Sequence, residues 1–235
     1  MKKTVLLASS ALISMFVAQS ALAAEWSGFY IGVHVGGVTG DIDWTSVSED
    51  TGYIDLLPGD SLGVSPDGVL GGAQLGYNFA MSNWLFGIEG TFAGMDFDDT
   101  ADNPFAVGDE FIQSDIEWLG TVAARLGFTM GDTLLYAKGG WAVADVNTYH
   151  EDYAGGRQGF YSTSENHNGW VAGAGIEHAI AQDVSVALEY NYIDLGEQEH
   201  SGLATTPPWD GLVVNDVEAQ IHTATVRLNW HFNPL

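Results

Sequence analysis

One feature governs the chain after its first two dozen residues: large apolar residues alternate with small or polar ones, with period two, through eight separate segments. These lie near residues 27–37, 68–80, 84–95, 115–129, 133–146, 169–180, 184–194 and 217–232. Period two is the signature of an extended strand whose two faces meet different surroundings, and no helical period competes with it. The connections sort by length. Long polar stretches fill 38–67, 96–114, 147–168 and 195–216, and between them fall tight turns at Met81-Ser82-Asn83, Met130-Gly131-Asp132 and Ala181-Gln182-Asp183. Strands of this length, tilted, suffice to cross a bilayer. An even strand number with short turns at one end and long loops at the other is the pattern of a bacterial outer-membrane barrel. The expected fold is therefore all-β, an eight-stranded antiparallel up-and-down transmembrane β-barrel.

The two faces decide which side is wet. One face carries Phe29, Ile31, Val33, Val35, Leu75, Tyr77, Trp84, Phe86, Ile88, Leu126, Phe128, Leu188 and Tyr190; the other carries Gly32, His34, Gly72, Gln74, Gly76, Glu89, Gly173, Gly175 and Glu177. Small residues suit the crowded interior of a narrow barrel, and aromatics near strand ends suit the two membrane interfaces. A soluble ligand-carrying barrel would turn the glycine-rich face outward instead.

The scarce cations agree. Of six lysines and arginines, Lys2 and Lys3 sit at the extreme N-terminus, Arg157 falls in a loop, and Arg125, Lys138 and Arg227 all fall on the small-residue face. A cation on lipid at the midplane would cost about 2–4 kcal/mol. Counted from the nearest turn, Glu89, Arg125, Lys138, Glu177, Glu189 and Arg227 share a depth, with Glu117 higher. A belt of charges inside the barrel follows. In an interior only wide enough for side chains such a belt is a plug; in a wetter lumen it is the ring of a narrow ion-selective porin. With four acids to three cations, one carboxylate is expected to lack a cation of its own.

Met1–Ala23 reads as a signal peptide: Lys2 and Lys3, an apolar run, then Ala21-Leu22-Ala23, which leaves residues 24–235 as the barrel domain. Four basic residues then face 31 acidic ones, a net charge of −27. That balance excludes a phosphate-binding footprint and hence nucleic acid as a partner. With no cysteine, stability must come from packing and pairing. The long loops are acidic, with Asp41, Asp43, Asp60 and Asp67 in the first and Asp96, Asp98, Asp99 and Asp102 in the second. Asp96-x-Asp98 lacks the glycine and closing glutamate of an EF-type loop, so no metal site and no cofactor are expected. His150, His167, His200, Tyr149, Tyr153 and Tyr161 lie in the outer loops and are of the residue types that serve as axial haem ligands. His34 and His231 fall on the lumen face, His178 and His222 on the lipid face. No histidine is followed two residues on by serine, the spacing of the barrel lipid A deacylases, and eight strands are too few for an omptin protease. A non-enzymatic barrel is the expectation.

Trp26-Ser-Gly-Phe-Tyr-Ile-Gly32, Gly71-Gly-Ala-Gln-Leu-Gly-Tyr-Asn78, Trp84-Leu-Phe-Gly-Ile-Glu-Gly90, Trp118-Leu-Gly-Thr-Val-Ala-Ala-Arg-Leu-Gly127 and Gly169-Trp-Val-Ala-Gly-Ala-Gly-Ile-Glu177, in this order and at this spacing, resemble the small porin-like surface antigens of alphaproteobacteria. These are members of the OmpA-like transmembrane-domain superfamily, and the likeness runs through essentially the whole mature chain. It implies an abundant, non-enzymatic outer-membrane barrel linked to envelope integrity. Its implied partners are outer-membrane lipids, lipopolysaccharide, the barrel-assembly machinery and a host surface. Some relatives bind haemin, which makes a haemin-binding surface receptor the alternative function. Such proteins end on an aromatic residue read during assembly; here Val226, Leu228, Trp230 and Phe232 alternate as that signal requires, but Asn233-Pro234-Leu235 follow.

Overall fold

The computed structural model describes residues 26–49, 58–102, 110–152, 159–204 and 211–232; residues 1–25, which hold the expected signal peptide, and Arg157, Tyr153 and the residues after Phe232 lie outside them. The described residues form ten strands: β1 (Gly28–Glu49), β2 (Ser61–Val64), β3 (Asp67–Met81), β4 (Trp84–Asp96), β5 (Asp98–Asp102), β6 (Glu110–Met130), β7 (Thr133–Asp152), β8 (Gly159–Ala179), β9 (Val184–Ala204) and β10 (Gly211–Phe232). Eight of them form one antiparallel ring in the order β1-β3-β4-β6-β7-β8-β9-β10, and β10 pairs back onto β1. The two short strands continue neighbours: β2 lies on β1 above β3, and β5 lies on β6 above β4. The three tight turns fall where the sequence puts them. Ser82 and Gly131 take positive φ there, which the right-handed twist of a short hairpin demands.

Following directly opposed residues around the ring, Ile31 leads to Leu75, Gly90, Val122, Trp141, Trp170, Asp194, Gln220 and then Asp41, ten residues along the strand from the start. A stagger of that size in eight strands requires a tilt of about 40°.

Every strand except the short pair runs farther than the sequence pattern suggests. The long polar stretches are largely strand, because the alternation changes face partway up. In the lower part of β1, Phe29, Ile31, Val33 and Val35 point outward and are exposed, while in its upper part Val38, Ile42 and Trp44 point inward and are buried. β10 does the same, with Val226, Leu228 and Trp230 outward below and Val217, Ala219 and Ile221 inward above. Below, the outside is hydrocarbon; above, it is water, and the apolar residues retreat to the interior.

Above the membrane the ring parts along two opposite lines. Pairing between β3 and β4 stops at Val69–Asp96, and pairing between β8 and β9 stops at Trp170–Asp194. Two four-stranded sheets continue upward, β2-β1-β10-β9 and β5-β6-β7-β8. An apolar layer fills the space between and beneath them, including Ile42, Trp44, Phe97, Ile116, Val146, Leu195 and Val217.

Candidate functional site

The lumen of the lower half is polar and its charges meet at one level. Seven strands contribute: Tyr30 from β1, Glu89 from β4, Arg125 from β6, Lys138 from β7, Glu177 from β8, Glu189 from β9 and Arg227 from β10. Each of these side chains is at least nine-tenths buried. Arg227 grips Glu89 with both terminal nitrogens, at 3.1 and 2.6 Å, and also bonds Glu189. Lys138 Nζ lies 2.7 Å from Glu189 and 3.2 Å from Glu89. Arg125 donates to Glu177 at 3.0 Å and to the Tyr30 hydroxyl at 2.6 Å, and its guanidinium sits 4.0 Å from the centre of the Tyr136 ring.

Burying an ion in this way is tolerable only when its remaining hydrogen-bonding positions are filled. Neutral neighbours fill many of them. Tyr30 donates to Glu89 and Tyr136 to Glu189, both at 2.7 Å. Glu177 accepts from Ser185 at 2.5 Å and from Asn229 at 2.8 Å, with His231 at 3.2 Å. Gln74 donates to Asn229 at 2.7 Å and also lies 2.6 Å from His34. Alternation places His34, Gln74 and His231 on the lumen face but does not say whom they meet, so their partners in the belt are visible only in the structure.

Half of the belt repeats the other half. Across β1, β3 and β4, Tyr30 opposes Gly76, which opposes Glu89; across β7, β8 and β9, Tyr136 opposes Gly175, which opposes Glu189. The next strand in each half brings an arginine two residues below the partner of that glutamate: Arg125 below Ala123, and Arg227 below Thr225. The glycines are needed for close approach, since a Cβ on either would come 2.5 Å from its tyrosine ring. The sequence carries the signal: Thr121-Val-Ala-Ala-Arg-Leu-Gly-Phe128 parallels Thr223-Ala-Thr-Val-Arg-Leu-Asn-Trp230. Lys138 and Glu177 break the symmetry, for the matching positions hold Gly32 and Asn78.

Glu117 does not belong to the belt. The β6–β7 register shifts between Ile116 and Leu119, and this bulge reverses the alternation, so that Ile116 turns in and Glu117 is exposed outside. The belt therefore holds three carboxylates and three cations, and the expected surplus acid disappears.

The belt is covered on both sides. Below it Trp26, Leu85, Leu134 and Tyr136 pack together; above it lies the apolar layer. Between belt and layer is a cavity of about 30 Å³, lined by His34, Lys138, Glu189, Asn191 and Arg227 beneath and by Leu70, Leu119, Val171 and Ile193 above. That space holds about two waters.

Ser185, His231 and Glu177 form a cluster that invites comparison with a hydrolytic triad. Both the serine hydroxyl and the glutamate approach Nε2 of His231. In a triad the carboxylate orients the imidazole from Nδ1, and the nucleophile faces substrate. Here Ser185 is fully buried, so the arrangement departs from a triad and holds Glu177 in place.

Of the residues considered for haem, His167 and His200 come together. They face each other across the upper parting of β8 and β9, with Nε2 atoms 2.7 Å apart and Thr148 Oγ1 3.2 Å from Nδ1 of His200. Their Nε2 atoms are engaged with each other. Tyr149 is half-buried, His150 opposes Tyr161 in the β7–β8 register, and Tyr153 lies outside the described residues. Val226, Leu228, Trp230 and Phe232 all point outward from β10, the alternation expected of an assembly signal.

A closed antiparallel ring with an apolar exterior, a charged interior and short turns at one end defines a small outer-membrane β-barrel. The chain belongs to the outer membrane protein beta-barrel domain family, whose model matches residues 8–232. Its relatives agree on location. A 31 kDa outer-membrane immunogenic protein of Brucella melitensis is 30% identical over 98% of this chain and all of its own length. A 25 kDa outer-membrane immunogenic protein of Brucella abortus is 24% identical over 77% of this chain and 71% of its own. Among solved structures, outer membrane protein OprG of Pseudomonas aeruginosa superposes with a TM-score of 0.52 at 14% identity, covering 89% of this chain and 99% of its own. Outer membrane protease OmpT of Escherichia coli superposes at 0.55 with 10% identity, covering 91% and 99%. At such identities the two structures speak for the fold alone.

Proposed function

We propose that this protein is a sealed, non-catalytic barrel that serves the outer membrane as a structural element and presents an acidic face to the outside. The observation that carries the reading is the belt, in which three carboxylates and three cations neutralise one another in a lumen capped by apolar residues on both sides. A conducting ring needs water-exposed charge of one sign and a continuous path. This belt is balanced, buried and roofed. Asp41, Asp43, Asp67, Asp96, Asp98 and Glu218 are exposed on the outer surface of the upper strands and give that face its charge.

Planar-bilayer recording with the refolded protein tests the proposal. Wild type is expected to show no stable conductance, and replacing Arg125 or Arg227 by a small neutral residue is expected to produce openings. A large, steady wild-type conductance would make the belt the lining of an ion-selective pore and end the sealed reading.

A further inference from the structure

Above Trp170 and Asp194 the edges of β8 and β9 face each other without pairing, and this parting has the makings of a binding site. On β8, residues 159–169 pair with β7 on one side and, among the described residues, with no strand on the other; on β9, residues 197–204 pair with β10 alone. A backbone edge this long normally finds a partner or is blunted. Neither lip carries a proline within these spans. Gly196, with a φ of 66°, sits in the irregularity of the β9–β10 ladder and lies close beside Asn168, which marks the lower end of the parting.

Solvent reaches into the parting. Glu165 and Gln198 occupy inward positions by alternation and are nevertheless exposed, whereas their directly opposed neighbours one strand further in, Val146 and Val217, are fully buried. Contacts of the His167 side chain bridge the two lips, to His200 and to the backbone of Gly196. The opposite parting is a poorer candidate. Its lips, β2 and β5, are only four and five residues long.

We propose that the parting between β8 and β9 accepts an extended, basic peptide segment of a partner protein, which adds as a strand along the β8 edge over 162–168. Main-chain hydrogen bonds supply the attachment in strand addition, and side chains supply the selection. Here the selecting groups are acidic: Glu165 on one lip and Glu197 and Glu199 on the other, all exposed, with exposed Glu218 directly opposite Glu197. A second copy of this chain is a poor occupant, because each copy carries a formal charge of −25. A segment alternating lysine with a β-branched residue meets both requirements.

The test uses the full barrel in lipid nanodiscs and a peptide of about ten residues, roughly the length of the free edge, alternating lysine and threonine. Amide hydrogen exchange read by mass spectrometry is expected to slow over 162–168 and 197–202 when the peptide is added. The same peptide N-methylated at alternate residues keeps its charge but cannot complete a ladder, and it is expected to bind at least about tenfold more weakly. Glu197→Lys together with Glu199→Lys is expected to weaken the unmethylated peptide comparably. Equal binding of the methylated peptide would mean charge attraction to an acidic surface without strand addition, and would overturn the proposal. So would absence of binding, or protection confined to other strands. Conductance is a separate measurement, so this inference and the sealed-lumen reading stand or fall independently.

Discussion

Replacing Arg227 by methionine probes the belt where it is most connected. The side chain is 2% exposed, bonds Glu89 through two nitrogens and reaches Glu189 as well. Methionine keeps much of the volume and removes the charge, leaving three buried carboxylates to Arg125 and Lys138. Removing one partner of a dry ion pair costs about 3–5 kcal/mol, because the other charge stays behind. The cavity beside Arg227 can admit about two waters to the abandoned carboxylates, which places the expected loss near the lower end, about 3 kcal/mol. Urea unfolding in phospholipid vesicles, followed through the eight tryptophans, measures it. Glu117→Gln is the control, since that acid lies outside the belt, and its effect is expected within about 0.5 kcal/mol of zero. Adding Glu89→Gln to Arg227→Met restores neutrality and is expected to recover part of the loss, with a coupling of about 2 kcal/mol. If Arg227→Met costs no more than Glu117→Gln, the belt is hydrated and the account of its energetics is wrong.

Two further outcomes follow from the same geometry. Gly76→Ala or Gly175→Ala forces a Cβ to 2.5 Å from the ring of Tyr30 or Tyr136 and is expected to cost about 1–3 kcal/mol, whereas Gly94→Ala, whose nearest neighbour is 4.0 Å away, should be close to neutral in the same unfolding assay. Burial lowers the pKa of His167 and of His200 from 6.5 to about 4, above the membrane-spanning part of the barrel. The unfolded chain therefore binds more protons between those values, so the pair's contribution to stability is complete above pH 6.5 and is lost as pH falls towards 4. Amide exchange along the upper strands should quicken over that window in wild type, and His200→Leu should flatten the response; a wild-type profile indifferent to pH would contradict the buried, neutral pair.

Much of this molecule is legible in its sequence, and the parts that are not have definite physical causes. The ring, its tight turns and the inward placement of Arg125, Lys138 and Arg227 follow from alternation and from the cost of charge in lipid. The upper strands do not, because a reader tracking apolar residues on one face loses them at Val35 and does not expect them on the other face at Val38, Ile42 and Trp44. The chain is still extended; the solvent has changed. Glu117 departs from the alternation for a related reason, since a bulge between Ile116 and Leu119 reverses the faces without a glycine or proline to announce it. The neutral half of the belt was readable in principle. Tyr30-Gly76-Glu89 and Tyr136-Gly175-Glu189 are a repeat across strands, and repeats of that kind show only when the register is known.

Alternation fixes a strand's alignment only to within two residues, because a slip of two returns every side chain to its proper face and restores the main-chain bonds. A barrel closing β10 onto β1 therefore faces several alignments that lipid and backbone accept equally. The charges break the tie. Displaced by two residues, about 7 Å, Arg227 would abandon Glu89 and Glu189 to Lys138 as the one cation they still share, inside a narrow interior. The belt thus acts as a combination lock on assembly: the membrane selects which side of each strand faces out, and only the ions record how far along the strands the ring has closed.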